Sequence, residues 1–317
     1  MVRGLKKELA MIDILGKRYI FFALSLLIIV PGIVFLALGY MPMSIDFTGG
    51  SMLEVRFGSG TAPQPADVVQ LYNELGVTDS QVQTTGVDVL IIRSKYLDED
   101  IRTKIVSAME EHFNDEITVL QFDSVGPVIG KEVTSRAFGA VAVAALGVII
   151  YITIAFRGIP NAFRYGVCAI VAMIHDVLVV LSISALGGKF LGWQFDTMSL
   201  TALLTVIGFS VQDKIVVFDR IRENRGILRK VSFEQLTNHS IVQTLGRSIN
   251  TQLMTSEFML LAVALFGGVT LREFAIILLV GMLSGTYSSI FTAAPLLVVW
   301  ENQEWKTWFS RGKASAA

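Results

Sequence analysis

The chain has 317 residues, is 53% hydrophobic and only 17% charged, and carries 26 Lys and Arg against 27 Asp and Glu; its mean hydropathy is +0.60. A soluble domain is typically about 25% charged, so these values exclude an ordinary soluble enzyme, and the near-neutral balance argues against nucleic-acid binding, which favours a basic chain. One cysteine, Cys168, and three histidines, His112, His175 and His239, exclude a disulfide framework, a cysteine-built zinc site and a histidine-rich metal centre; no metal and no cofactor is expected.

Residues 19–38 carry no charge and are long enough to cross a hydrocarbon core of about 30 Å. They exceed the roughly 7–15-residue apolar region of a secretory signal, and no A-x-A-like site follows, so the stretch reads as an uncleaved anchor. Residues 41–136 read as an inserted α+β domain. A strand is expected at 51–57, a helix at 66–75, paired strands at 80–85 and 87–93 around Gly86, a helix at 98–113 and a strand at 117–124. This βαββαβ order is ferredoxin-like. Further spans follow at 137–156, at 165–186 with His175 and Asp176 inside, at 198–218 with Asp213 and Lys214, at 253–269 with Glu257, and at 274–300. The expected fold is an α-helical membrane protein of six transmembrane helices with an inserted ferredoxin-like α+β extracytoplasmic domain. Its parts are 1–40, 41–136, a five-helix bundle over 137–301 and a tail at 302–317.

Outside the insertion, every Lys and Arg except Lys189, Arg272 and the in-span Lys214 falls on one side of this layout. By the positive-inside rule that side is cytoplasmic. Both termini and the 219–250 loop are then inside, and the insertion is outside. In that loop, Ser232 and Gln235 form a capping box opening a short amphipathic helix.

GPVIGK at 126–131 has one residue too few for a phosphate-binding loop, and Glu132 stands where Ser or Thr is needed. Nucleotide binding is rejected, and the segment reads as the hinge leading into the second span. Gly281 and Gly285 form a GxxxG suited to close helix packing within the bundle. A charge at bilayer depth costs at least about 2.5–3.5 kcal/mol and commonly marks an ion path. Asp176 lies mid-span. Asp213, Lys214 and Glu257 are expected in a layer nearer the cytoplasmic face, where they serve either a proton or cation relay or helix packing alone. His175 reads as a hydrogen-bonded packing residue.

Six segments together carry a resemblance: IDFTGGS at 45–51, VGPVIG at 125–130, HDV at 175–177, IGFSVQD at 207–213 running into VVFDRIREN at 216–224, RSINT at 247–251, and GTYSSIF at 285–291. In this order they resemble the SecD/SecF family, related to the resistance–nodulation–division transporters. The resemblance implies a heterodimer with a SecD-like subunit in the bacterial or archaeal cytoplasmic membrane. That complex uses the proton-motive force, or a sodium gradient in some relatives, to assist preprotein export through the SecYEG channel, without nucleotide. It further implies an ion pathway through Asp213 and Arg247, with Asp176 a candidate addition, and a loop motif built on Asp46, Gly49, Gly50, Gly126 and Gly130. The chain departs from the family in having Gln212-Asp213-Lys214 for Asn-Asp-Thr, and Glu257 in a span that is usually apolar. Lys214 and Glu257 are therefore expected to form a compensating pair that leaves Asp213 free to titrate.

Three other functions compete. A half-size transporter of the same superfamily would export a small molecule or lipid. A scaffold for a SecD-like partner would pass no ion. An intramembrane aspartyl protease would use Asp176 and Asp213, but the GxGD pattern is missing, because Gly208 stands too early.

Overall fold

The computed structural model describes residues 13–157, 161–252 and 258–308. The chain divides into two compact units: 42–140 with 194–197, and 1–41 with 141–193 and 198–317. Helix α1 (Arg18–Ala37) follows a 3-10 turn, Leu15–Lys17. The otherwise orphaned amides of Ile14 and Leu15 donate to Asn238 Oδ1 at 3.0 and 3.3 Å.

The 42–140 unit opens on a single turn, Ile45–Thr48, whose Asp46 amide donates to Ser44 Oγ at 3.2 Å. Strand β1 (Gly50–Phe57) turns Leu53, Val55 and Phe57 inward, the period-two pattern of a half-buried strand. Helix α2 (Pro65–Glu74) starts on a proline, where the missing N–H is an orphan anyway. Strands β2 (Gln81–Thr85) and β3 (Val89–Ser94) join through Gly86, at φ +73°; this turn delays β3 to Val89. Helix α3 (Glu99–Phe113) is capped by Asp98, which accepts from the Ile101 amide at 2.9 Å, and it ends on left-handed Asn114. Strand β4 (Ile117–Val125) completes an antiparallel sheet of order β2-β3-β1-β4. Glu54 pairs with Gln121 but Val55 with Val119, so β4 bulges at Leu120. Val68, Leu71 and Tyr72 of α2 and Ile105 and Met109 of α3 pack on Leu53, Val55, Leu90 and Ile92 of the sheet.

Helices α4 (Pro127–Ala155), α5 (Ala162–Leu191), α6 (Thr197–Ile227), α7 (Phe233–Gln252), α8 (Phe258–Phe266) and α9 (Val269–Ser288) follow. A π-turn, Ser289–Ala293, then leads into α10 (Ala294–Glu301). Among the described residues, five helices are long and apolar enough to cross a membrane: Leu15–Ala37, Pro127–Ala155, Ala162–Leu191, Thr197–Ile227 and Leu271–Glu301. The span expected at 253–269 falls on α8 and on 253–257, which lie outside the described residues.

Helix α6 runs nine residues past its expected end at 218. Its polar extension has partners on α7: Asn224 Nδ2 donates to Ser240 Oγ at 2.8 Å and to Gln243 Oε1 at 3.0 Å. Helix α7 is capped as expected, the Gln235 amide donating to Ser232 Oγ at 3.2 Å. It is 20 residues long rather than short. A Cβ on Gly281 would collide with Val206 and Val180, and one on Gly285 would sit 3.3 Å from Ser210 Cα. The GxxxG therefore brings α9 close to α6.

Candidate functional site

Two buried carboxylates stand at the middle of long helices. Asp176 is central in α5, and Asp213 is central in α6 because α6 continues to Ile227. The Lys214–Asp176 contact sets these two side chains at one level of the bundle, where the sequence placed Lys214 in a layer of its own with Asp213 and Glu257.

Asp176 is fully buried and saturated with donors. Its Oδ2 accepts from Ser210 Oγ at 2.6 Å, Lys214 Nζ at 2.7 Å and Ser288 Oγ at 2.7 Å. Its Oδ1 accepts from Ser284 Oγ at 2.7 Å and His175 Nδ1 at 3.0 Å. Ser284 and Ser288 are one helical turn apart on α9, so both hydroxyls reach one carboxylate. Lys214, also fully buried, contacts Asp176, the Ser210 carbonyl at 3.0 Å and Ser210 Oγ at 2.6 Å. Among the described residues the acidic partner of Lys214 is thus Asp176 and not Asp213; Glu257, its expected partner, lies outside the described residues. Consecutive helical residues diverge by about 100°, so Lys214 can face α5 while Asp213 faces α7 and α9.

Asp213 has neutral partners. Its Oδ2 accepts from Gln252 Nε2 at 3.1 Å and Thr286 Oγ1 at 3.2 Å. Among the described residues it makes no ion pair. Arg247 is exposed on α7, one and a half turns before Gln252, in a groove with Asp219, Arg220, Glu223 and Gln243. The structure therefore joins Asp176 to Lys214, and Asp213 to the helix that carries Arg247. Among the described residues no group of three metal-ligating side chains forms.

His175 hydrogen-bonds Asp176 through one nitrogen and stacks on Tyr287 at 6.1 Å. Its Nε2 has no partner among the described residues. The ring borders a cavity of about 240 Å³ with Leu24, Ser25, Ile28 and Tyr287. The π-turn at Ser289–Ala293 begins directly after Ser288. It precedes Pro295, whose missing N–H would interrupt a regular helix.

The loop motif forms a separate arrangement inside the 42–140 unit. Gly49 and Gly50 have φ of +74° and +133°. A Cβ on Gly49 would sit 2.8 Å from Pro127 Cα, and one on Gly130 would sit 2.7 Å from Gly49 N. Thr134 Oγ1 donates to Phe47 O at 3.0 Å. Asp46 Oδ2 accepts from Thr197 N and Oγ1 at 3.1 and 2.9 Å, capping the start of α6. Gly126 has open space beside it.

Sequence reasoning did not single out Ser284 and Ser288, whose i, i+4 spacing on an apolar helix was the available signal. It also missed a set of ion pairs in the helical unit. Arg18 meets Glu234 at 2.6 Å and Glu304 at 2.7 Å. Glu301 accepts from Arg164 at 2.5 Å and Arg225 at 3.2 Å. In the sequence all three arginines read only as positive-inside charge.

The family model described as "Protein export membrane protein SecD/SecF, C-terminal" matches residues 105–303. The chain is 67% identical over 307 residues to a protein translocase subunit SecF of Anaerolinea thermophila, covering 97% of this chain and 100% of that one. It is 44% identical over 318 residues to the subunit of that name in Thermobaculum terrenum, covering 97% and 99%. The crystal structure of SecDF from Thermus thermophilus superposes with a TM-score of 0.80 at 32% identity, covering 92% of this chain and 39% of that one. A crystal structure of SecDF in a super-membrane-facing form gives a TM-score of 0.65 at 32% identity, over 95% and 40%. This chain therefore spans about two fifths of the length of those SecDF chains.

Proposed function

Since the chain belongs to the SecD/SecF family of protein-export membrane proteins, we propose that it is the SecF-type subunit of a SecD–SecF accessory complex. The complex uses the proton-motive force to assist preprotein export through the SecYEG channel. It works by ion movement and conformational change, without enzymatic chemistry. The Lys and Arg distribution supports a cytoplasmic-membrane protein with both termini inside. The sheet order β2-β3-β1-β4 supports reading 41–136 as a ferredoxin-like outer domain.

The observation that carries this reading is the contrast between the two mid-helix carboxylates. Asp176 is paired with a buried ammonium. Among the described residues, Asp213 is met by the Gln252 amide and the Thr286 hydroxyl and by no charged group. It lacks the fixed counter-charge that Asp176 has, the arrangement expected of an ion-coupling carboxylate. One charge crossing 100 mV yields about 2.3 kcal/mol, whereas turning a two-state element from 1:99 to 99:1 needs about 5.5 kcal/mol. A single proton therefore biases the outer domains, and several are needed to switch them.

The test is gradient-driven export in inverted membrane vesicles containing this chain and its SecD-like partner, comparing Asp213→Asn with wild type. Loss of the gradient-dependent component with assembly intact places Asp213 on the ion path. Unchanged export favours a scaffold whose ion path lies in the partner, a reading to which the locked Asp176–Lys214 pair lends weight.

A further inference from the structure

The cavity of about 240 Å³ between α1, α5 and α9 has no part in the function proposed above. Its lining is aliphatic apart from four side chains: Ser25, His175, Ser284 and Tyr287. Three of these spend their donors inside the protein. Ser284 Oγ donates to Asp176 Oδ1 at 2.7 Å, the Tyr287 hydroxyl to the Phe21 carbonyl at 2.8 Å, and Ser25 Oγ to the Tyr287 hydroxyl oxygen at 3.5 Å. The fourth, His175, has a side chain only 10% exposed, and its Nε2 is buried with no partner among the described residues. Its Nδ1 faces Asp176 Oδ1 at 3.0 Å. A carboxylate oxygen accepts, so in the neutral ring Nδ1 carries the proton and Nε2 keeps a lone pair. A buried acceptor left unsatisfied is costly, and what this cavity lacks is a hydrogen-bond donor.

Size and position narrow the choice of donor. A cavity of roughly 150 Å³ with aliphatic and aromatic walls holds one benzene ring, so this larger one has room for a substituted ring. A water at Nε2 leaves most of the volume without the two to four polar partners that each water needs. The rings of His175 and Tyr287 lie nearly parallel, at 19°, and an aromatic guest packs favourably beside such rings. Ser25 and His175 stand near the middle of the apolar helices α1 and α5. Leu24, Ile28 and Leu283 at the cavity are exposed, so entry is from apolar surface at mid-span depth. We propose that the cavity binds a membrane-dissolved phenol, with its ring among α1, α5 and α9 and its hydroxyl donating to His175 Nε2. An ether of the same shape has no proton to give and is discriminated against. Binding of the phenol is independent of the role of Asp213, and either can fail without the other.

The experiment titrates thymol and thymol methyl ether into the full chain with its SecD-like partner in lipid nanodiscs. Histidine is isotopically labelled in this chain alone, and His112→Gln/His239→Gln leaves the His175 ring as its one labelled imidazole. Thymol is expected to shift the Nε2 resonance saturably and to raise the melting temperature, as ligand linkage requires. The ether should bind about tenfold more weakly, the loss of one hydrogen bond, and leave the resonance in place. Leu283→Trp, which fills the mouth and leaves the His175–Asp176 bond alone, should abolish both thymol responses. Ile28→Phe fills the cavity from α1 should the tryptophan variant fail to fold. Decylphenol separates two sources of the ring: tighter binding than thymol assigns a lipid-borne phenol, weaker binding a free one. Equal binding of thymol and its ether overturns the proposal. So does a thymol response that never saturates or that survives a filled cavity. An Nε2 resonance that thymol does not move also overturns it, because water then holds that nitrogen.

Discussion

Lys214 Nζ lies 2.7 Å from Asp176 Oδ2, and neither side chain reaches the surface. Breaking one partner of such a pair leaves the other charge buried and uncompensated, whereas removing both can be nearly neutral. Asp176→Asn alone should therefore cost about 3–5 kcal/mol, and Asp176→Asn/Lys214→Met much less than the sum of the two singles. A double-mutant cycle on unfolding in detergent measures the coupling. Additive costs would show that the two side chains do not act as a pair.

The two glycines of 126–130 should behave oppositely. A methyl at Gly130 has only the backbone at Gly49 and Phe47 to push against, while one at Gly126 meets open space. Gly130→Ala should lower the melting temperature markedly and Gly126→Ala hardly at all. Equal effects would remove close packing as the reason for glycine at 130.

Glu304 carries a pH dependence. Burial works to raise its pKa, but hydrogen bonds from Tyr19, Arg18 and Asn302 outweigh this, and the net shift is downward. A carboxyl whose pKa is lower folded than unfolded adds stability that is complete above the ordinary carboxylate range. That stability is lost as the pH falls through the folded value. The melting-temperature gap between wild type and Glu304→Gln should thus be constant near neutrality and close on acidification. A gap that widens in acid would contradict this.

Tyr72 is fully buried in the 42–140 core, and burial pushes its phenol pKa up. Its hydroxyl has no hydrogen-bond partner among the described residues. An unsatisfied buried group costs about 1–3 kcal/mol, so Tyr72→Phe should be neutral or stabilising by about 1 kcal/mol. A clear loss of stability by denaturant titration would mean the hydroxyl is satisfied by water.

The helices, the hairpin at Gly86 and the cap at Ser232 were legible because each is written in local spacing, hydropathy or turn chemistry. The partner of Lys214 was not. It depends on how α5 and α6 are set against each other, across 38 residues of chain. The length of α6 was hidden for a related reason. Hydropathy ends the span at 218, while hydrogen bonds from Asn224 to Ser240 and Gln243 carry the helix on to Ile227. The approach of Gly49 to Gly130 was likewise hidden, since glycine in sequence does not say which backbone comes near it.

The wide turn at Ser289–Ala293 sets the phase of everything beyond it. On one side, Ser284 and Ser288 must point at Asp176; on the other, Glu301 must point at Arg164 and Arg225. Uniform α winding advances about 100° per residue, so the surplus residue of the π-turn acts as a fixed angular offset between these two attachments. Deleting one residue there would restore even winding and turn one end out of alignment by roughly that angle. The chain would keep either its buried serine contacts or its terminal ion pairs, but not both.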